Sequence, residues 1–230
     1  MISVNIILFS ILFCILLNIF IVKIISVVDY EILGLHNRNS SIIKVYRKIF
    51  KDKSILFRFF ALGIVFIIFN YIILFKIFNN FSFVLIYSYL KYYYLFLILY
   101  IFAFIDYITY YVYTVLSYPL IIFSLLIFML SFLQKRSLKA NLETIVLIAF
   151  FYLMIKKFKF LGEGDFDIIL IISLTLGALP TIFIFYLSII MSGFIGLWIL
   201  MKNSFKIKNN KMAFVPFVFV STFLFIILKI

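Results

Sequence analysis

The sequence has few of the side chains on which most enzyme sites are built. Among its 230 residues there is one cysteine, Cys14, and one histidine, His36. A single cysteine excludes an internal disulfide. With so few ligands, a zinc site rich in histidine cannot be assembled, and a Ser-His-Asp triad would have to use His36, which lies in a basic segment. We therefore predict that the protein uses neither a metal nor a cofactor.

Charged residues are also scarce, at 13% of the chain, whereas 67% of the residues are hydrophobic. Soluble domains are about half apolar and a quarter charged, so this composition is far outside their class. Runs such as Phe59–Phe75 and Ile189–Met201 are apolar on all sides, whereas β-barrel strands alternate polar and apolar positions. The sequence predicts an all-α, polytopic helical membrane protein with one integral membrane domain over residues 1–230.

The long apolar stretches predict the number of membrane crossings, because about 20 apolar residues span the hydrocarbon core. Phe166–Trp198 is too long for one crossing, and Gly177 and Pro180 mark a break within it. Pro119 is expected in the first turn of the fourth span, where proline is tolerated. Eight transmembrane helices are predicted, or six or seven if a short one is re-entrant. The segments are Ile2–Val28, Ile55–Phe75, Phe83–Ile105, Ser117–Leu133, Leu142–Ile155, two parts of Phe166–Trp198, and Ala213–Leu228.

The formal net charge of +13 suggests either a nucleic-acid partner or an orientation signal. We favour the second interpretation and predict no nucleic acid, because basic residues gather in loops between apolar segments. Asp29–Ser54, Lys156–Asp165 and Lys202–Lys211 carry most of them. The positive-inside rule then places these segments on the cytoplasmic side of the cell membrane, with the N-terminus outside. Asp29–Ser54 is the predicted basic cytoplasmic loop.

Acidic residues beside hydrocarbon are the candidates for chemistry. Asp165 ends the sequence Gly162-Glu163-Gly164-Asp165 and opens an apolar segment, and Asp106 ends the third predicted span. An ionisable residue at membrane depth is a functional-site hypothesis by default. The predicted topology puts both aspartates at cytoplasmic helix ends at similar depth. Two carboxyls that share one site do not readily both ionise, and such a pair can activate water as the aspartic proteases do.

Spacing alone leaves other interpretations of this pair open. In a small ion- or proton-coupled transporter, Asp106 and Asp165 would be ion ligands. In a non-catalytic membrane scaffold the acids would cap helix N-termini, where the helix dipole favours negative charge. Asp29 is the reserve candidate if Asp106 has no catalytic role. Asp167 is interpreted as a supporting or interfacial acid, and Glu163 as the free position of the motif.

Three patches resemble the aspartic prepilin and preflagellin peptidases, the GxGD intramembrane family that includes the type IV prepilin peptidases. The first is Asp106 followed by the sequence of residues 114–121, Thr-Val-Leu-Ser-Tyr-Pro-Leu-Ile. The second is Gly162-Glu163-Gly164-Asp165 with the Gly-Ala-Leu-Pro break at 177–180 and the small residues Ser192, Gly193 and Gly196. The third is Met-Ala-Phe-Val-Pro-Phe at 212–217. Together the patches extend from Asp106 to Ile230.

The resemblance implies that Asp106 and Asp165 are the catalytic pair, with Gly162, Glu163, Gly164 and Asp167 as motif and supporting residues. It also implies that the substrates are precursors resembling type IV pilins or flagellins, whose short basic leader is removed at the cytoplasmic face. Two departures from the bacterial enzymes stand out: the four-cysteine element is missing, and Asp167 stands where a lysine is usual. In these departures the sequence resembles the archaeal branch of the family, whose members cleave their substrates without methylating the product.

Overall fold

The computed structural model describes residues 2–28, 53–79, 83–133, 138–158, 162–202 and 212–229. Every regular element within these ranges is an α-helix, and eight helices are present there, so the predicted all-α fold is confirmed. In chain order they are α1 (Ile2–Val28), α2 (Lys53–Asn79), α3 (Phe83–Thr109), α4 (Thr114–Leu133), α5 (Leu138–Phe158), α6 (Glu163–Leu176), α7 (Ala178–Lys202) and α8 (Val215–Lys229).

Six of these helices, α1 to α5 and α7, are long and apolar enough to cross a membrane. The chain is therefore a multi-pass membrane protein, and six is the lowest of the predicted span numbers. Helix α6 has 14 residues. At 1.5 Å per residue it is about 21 Å long, which is shorter than the ~30 Å hydrocarbon core. Helix α8, with 15 residues, is similarly short.

Some predictions about the loops lie outside the described residues. This holds for residues 29–52 of the predicted basic loop, including Asp29 and His36, and for residues 203–211. The orientation of the protein in the membrane therefore stays a prediction.

Two helix boundaries differ from those predicted around the tyrosine-rich stretch. Helix α3 continues to Thr109, so Asp106 lies within its last turn and not after its end. Helix α4 begins at Thr114, which places Pro119 in its second turn, and the prediction of a first-turn position is wrong. The amides of Leu116 and Ser117 already donate to the carbonyl of Tyr113, at 2.9 and 3.1 Å, and so start the helix earlier than the apolar run suggested.

The chain divides into two compact units. The first unit comprises residues 1–93 and 107–109, and the second comprises residues 94–106 and 110–230. In the first unit α1 packs against α2, and the ring of Phe13 lies 6.2 Å from that of Phe66 and 6.4 Å from that of Tyr93. The single domain predicted for residues 1–230 stays a prediction.

Helix α6 is the central element of the second unit. It packs against α4, α5 and α7, and every residue from Ile171 to Leu176 is buried. Its buried hydroxyls need no outside partner, because Ser173 donates to the carbonyl of Ile169 at 2.7 Å and Thr175 to that of Ile171 at 2.8 Å. A short, fully packed helix of this kind can hold a polar group at its end in a fixed position.

The break between α6 and α7 occurs at Gly177, as predicted. Its backbone angles, φ 96° and ψ 179°, lie in a region that is essentially restricted to glycine. The Gly177 amide closes α6 by donating to the carbonyl of Ser173 at 2.9 Å, and its own carbonyl accepts the hydroxyl of Thr181 at 2.7 Å. Pro180 is the third residue of α7, where a missing amide hydrogen costs no helical hydrogen bond.

Replacing the glycine at this break tests how strongly it fixes α6. Gly177→Ala should lower the free energy of unfolding by about 1–3 kcal/mol, because alanine is strained at this φ. Gly196→Ala is the matched control, since an added Cβ there meets nothing within 4 Å and the residue is helical. Thermal unfolding of both variants in detergent, followed by circular dichroism, provides the comparison. Equal melting temperatures for the two variants would contradict the assignment of strain to position 177.

Candidate active site

Asp106 is buried in the last turn of α3, with its side chain 6% exposed. Its Oδ2 accepts the backbone N–H of Val215 at 3.0 Å, and the carboxylate also accepts the N–H of Phe214. Helix α8 begins at Val215, so both donors belong to its N-terminus. Asp106 is therefore held by a different helix from its own, at the end where the helix dipole attracts negative charge.

The end of α3 is itself fixed just beyond Asp106. Tyr110 adopts a left-handed conformation with φ 57°, and its N–H donates to the carbonyl of Asp106 at 2.8 Å. A left-handed residue at this point commonly ends a helix, although glycine usually occupies it. For a tyrosine the conformation costs roughly 1 kcal/mol. The backbone of Asp106 is thus fixed by the helix end and its side chain by α8.

Asp165 lies in the first turn of α6, as the third residue of that helix. Its carboxylate accepts the N–H of Gly162, the residue that precedes the helix. An acid at the third helical position that reaches back to the preceding amide forms one half of a capping box. Burial raises the pKa of Asp165 above that of a free carboxyl, and the hydrogen bond from Gly162 offsets part of that increase.

The two predicted carboxyls lie close enough for the charge of Asp165 to act electrostatically on Asp106. Both residues belong to the second unit. Each carboxyl is anchored by backbone N–H groups at a helix N-terminus, Asp165 by that of α6 and Asp106 by that of α8. The positive ends of two helix dipoles therefore face the same pair of acids.

The second glycine of the motif is required by a close approach. A Cβ added at Gly164 would lie 2.6 Å from the Cβ of Val112, a distance that real side chains do not reach. Val112 belongs to the short segment between α3 and α4. The absence of a side chain at Gly164 therefore lets the start of α6 contact the segment that follows Asp106. Gly162 is less constrained, because a Cβ there would be in ordinary contact with Asp165 Oδ2 at 3.4 Å.

Asp167 has a different partner from the pair. Its Oδ2 accepts a short hydrogen bond from the hydroxyl of Ser117, which is buried in α4. Residues two apart on a helix do not share a face, so Asp167 and Asp165 point in different directions. This geometry is that of an acid at the α4–α6 interface. The side chain of Glu163 lies outside the described part of the chain.

Several groups that complete the site were not identified as parts of it from the sequence. They are the amides of Phe214 and Val215, the side chain of Val112, and Ser117. The sequence contained two signals for the amides: the third patch at 212–217, which includes both residues, and the lack of a capping side chain before α8. Helix N-termini favour Ser, Thr, Asp or Asn before the first helical residue, whereas α8 has Phe214 there and so needs a cap from elsewhere.

The fold and these residues define a class: a multi-pass helical membrane protein with one buried and one partly buried carboxyl, each accepting backbone N–H groups at a helix N-terminus. Residues 92–197 match the type IV leader peptidase family. Over this range the chain is similar to the prepilin peptidases, and the resemblance predicted from the sequence is confirmed. The match includes Asp106, Asp165 and the whole of α6.

The matched range is a little under half of the chain. It begins earlier than the range predicted from the three patches, and it ends before the third patch at 212–217. The comparison with curated proteins and the comparison with solved structures each gave no match. The contact between Asp106 and the start of α8 therefore joins the matched range to a part of the chain outside it.

The tight contact at Gly164 yields a test of the site's geometry. Gly164→Ala should reduce peptidase activity about 100-fold, because the added methyl displaces the start of α6, and a misplacement of about 1 Å can have that effect. Val112→Gly removes the opposing Cβ, so the double variant should recover part of the lost activity.

Cleavage of a precursor in membranes, normalised to the amount of folded enzyme, measures these effects. Gly193→Ala is the control, since a Cβ there meets nothing within 4 Å. Full activity of Gly164→Ala, or no recovery in the double variant, would contradict the role assigned to this contact.

Proposed function

We propose that the protein is an intramembrane aspartic endopeptidase of the GxGD type, with Asp106 and Asp165 as its catalytic pair. The observation that carries this proposal is a pair of carboxyls that interact electrostatically, each anchored by backbone N–H groups, within the range that matches the leader peptidases. The substrates would be pilin-like or flagellin-like precursors with a short basic leader and a following apolar helix.

The proposed reaction uses one proton shared by the two carboxyls. The ionised aspartate takes a proton from a water molecule, whose oxygen attacks the scissile carbonyl carbon. The protonated aspartate gives its proton to the carbonyl oxygen as the tetrahedral intermediate forms. When the intermediate collapses, the C–N bond breaks and the leaving amine takes a proton from the carboxyl that gained one from water. At the same time the other carboxyl takes a proton back from a hydroxyl of the intermediate, which becomes the product's carboxyl group. The pair ends the cycle with one proton, as it began.

The position of the pair suits substrates of this kind. Asp106 is three residues from the end of α3, and Asp165 is the third residue of α6. A site at helix ends can admit water while it remains next to apolar helices. The apolar segment of a precursor would dock among the helices, and its basic leader would stay among the loops. By the positive-inside rule this end would be the cytoplasmic face.

The electrostatics favour a peptidase over the alternative of an ion transporter. The N-termini of α6 and α8 direct their N–H groups at the two carboxyls. Positive dipole ends disfavour a bound cation beside them, whereas they stabilise the ionised carboxylate that the proposed reaction uses as its base. In addition, backbone N–H groups occupy some of the carboxylate lone pairs that a cation would need as ligands.

Substitution of the acids separates catalysis from structure. Asp106→Asn and Asp165→Asn should each abolish cleavage of a precursor and leave the protein folded in the membrane, because asparagine keeps the volume and an acceptor oxygen but not the ionisable group. Asp167→Asn is the matched control two residues away, and it should retain at least part of the activity, since its amide oxygen can still accept the Ser117 hydroxyl. Normal processing by either of the first two variants would show that the pair is wrongly assigned.

The pair should also give the enzyme a bell-shaped dependence of activity on pH. The active form carries one proton, so activity is lost at low pH, when both carboxyls are protonated, and at high pH, when both are ionised. Because burial raises the pKa of Asp165, the alkaline loss should lie well above the ~4 of a free carboxyl.

Cleavage rates across pH in proteoliposomes, with and without EDTA, would test this dependence. A hydroxyl-bearing transition-state mimic should inhibit the reaction. If EDTA inactivated the enzyme and added metal restored its activity, the result would instead favour a metal-dependent mechanism.

A further inference from the structure

The start of α8 has an arrangement of amides that the proposed reaction alone does not explain. The first helical residue is Val215, and Pro216 follows it without an N–H. The amides of Phe217 and Val218 both donate to the carbonyl of Phe214, at 3.0 and 3.4 Å. The two N–H groups that remain in this turn, those of Phe214 and Val215, both donate to Asp106.

From this arrangement we infer that the amides of Phe214 and Val215 form a positioning element that sets which oxygen of Asp106 takes part in catalysis. The inference rests on the proposed function. An N–H can donate only to a lone pair, so Oδ2, which accepts the Val215 N–H, is turned toward α8. One lone pair of Oδ2 is thereby occupied, which favours Oδ1 as the oxygen that holds the catalytic proton and contacts the attacking water.

The dependence between Asp106 and α8 is mutual. Phenylalanine has no side-chain oxygen, so Phe214 cannot cap the helix that begins after it. Asp106 supplies that cap from α3. The two helices are held in place below the cap by aromatic packing, because the ring of Phe219 lies 4.4 Å from that of Phe96 and 5.8 Å from that of Tyr100. Any displacement of α8 would therefore move Oδ2 of Asp106.

The charges around Asp106 come from few described groups. On α6 it faces Asp165, whose charge acts on it. On α8 it faces backbone amides, and the one charged side chain of that helix, Lys229, lies at the opposite end. Loss of one amide donor would therefore make the ionised form of Asp106 less stable relative to the protonated form. No side-chain charge at the site would change. Both limbs of the pH profile should then move to higher pH.

The Val215 amide can be removed in two ways. Val215→Pro deletes the N–H at the first helical position, where proline is well tolerated. If this variant does not fold, replacement of Val215 by the corresponding α-hydroxy acid exchanges the N–H for an ester oxygen and keeps the isopropyl side chain. Val215→Ala is the matched control, because it shortens the side chain and keeps the N–H. An ester at Leu224 controls for the loss of an ordinary helical hydrogen bond.

A synthetic precursor with a basic leader and an apolar helix of about twenty residues would serve as the substrate, with each variant in proteoliposomes. Loss of the Val215 N–H should lower the cleavage rate at the wild-type optimum about tenfold or more, since a hydrogen bond to a charged group is among the strong ones. It should also move both limbs of the pH profile upward by roughly one pH unit. Val215→Ala keeps the N–H and should leave both limbs at the wild-type pH, and the Leu224 ester should keep the wild-type rate and profile.

The results distinguish this inference from the proposed function. A wild-type rate and profile in the Val215 ester would overturn the inference, as would a lower rate without any movement of the limbs, which a merely structural effect would produce. Persistent cleavage by Asp106→Asn in the same preparation would instead refute the catalytic pair itself. Inactive Asp106→Asn together with an unaltered Val215 ester would leave the peptidase in place without the positioning element.

Discussion

The arrangement of the second unit depends on one constraint: a carboxyl group taken out of water must find hydrogen-bond donors within the protein. Asp106 is almost fully buried, and its donors are the amides at the start of α8. Within the described residues, Asp106 is the cap that those amides have. The two needs are met by a single contact between α3 and α8, which are far apart in the chain. Asp165 meets the same requirement locally, through the amide of Gly162.

Helix α6 shows how glycine makes such a site possible. It is too short to cross a membrane, and it lies between Gly164, which lets its start approach Val112, and Gly177, which ends it in a conformation that other residues rarely adopt. Both glycines allow the helix to be placed tightly among α4, α5 and α7. The short helix carries Asp165 in its first turn, where the side chain is partly buried.

Much of this fold was predictable, because apolar runs and helix breakers act locally. The helical class, the break at Gly177 and the approximate position of each helix follow from hydrophobic length and from glycine. The catalytic pair could also be proposed, since acids beside hydrocarbon are rare and Gly162-Glu163-Gly164-Asp165 is a recognisable motif. The contacts of Val112, Ser117 and Val215 could not be predicted, because each depends on which helices become neighbours. The early start of α4 was missed because hydrogen bonds to Tyr113 set it, and these extend beyond the apolar run.

The cap on α8 also bears on why the acids are found at helix ends. A carboxyl in the middle of a helix has no free amide nearby, since each N–H there is used by the helix itself. Only the first turn of a helix offers free amides, and a site with two acids therefore draws two helix N-termini together. Those termini bring partial positive charge to the two carboxyls, which stabilises the ionised member of the pair. The same hydrogen bonds that make burial of the acids tolerable would thus keep one carboxyl ionised, as the proposed reaction requires.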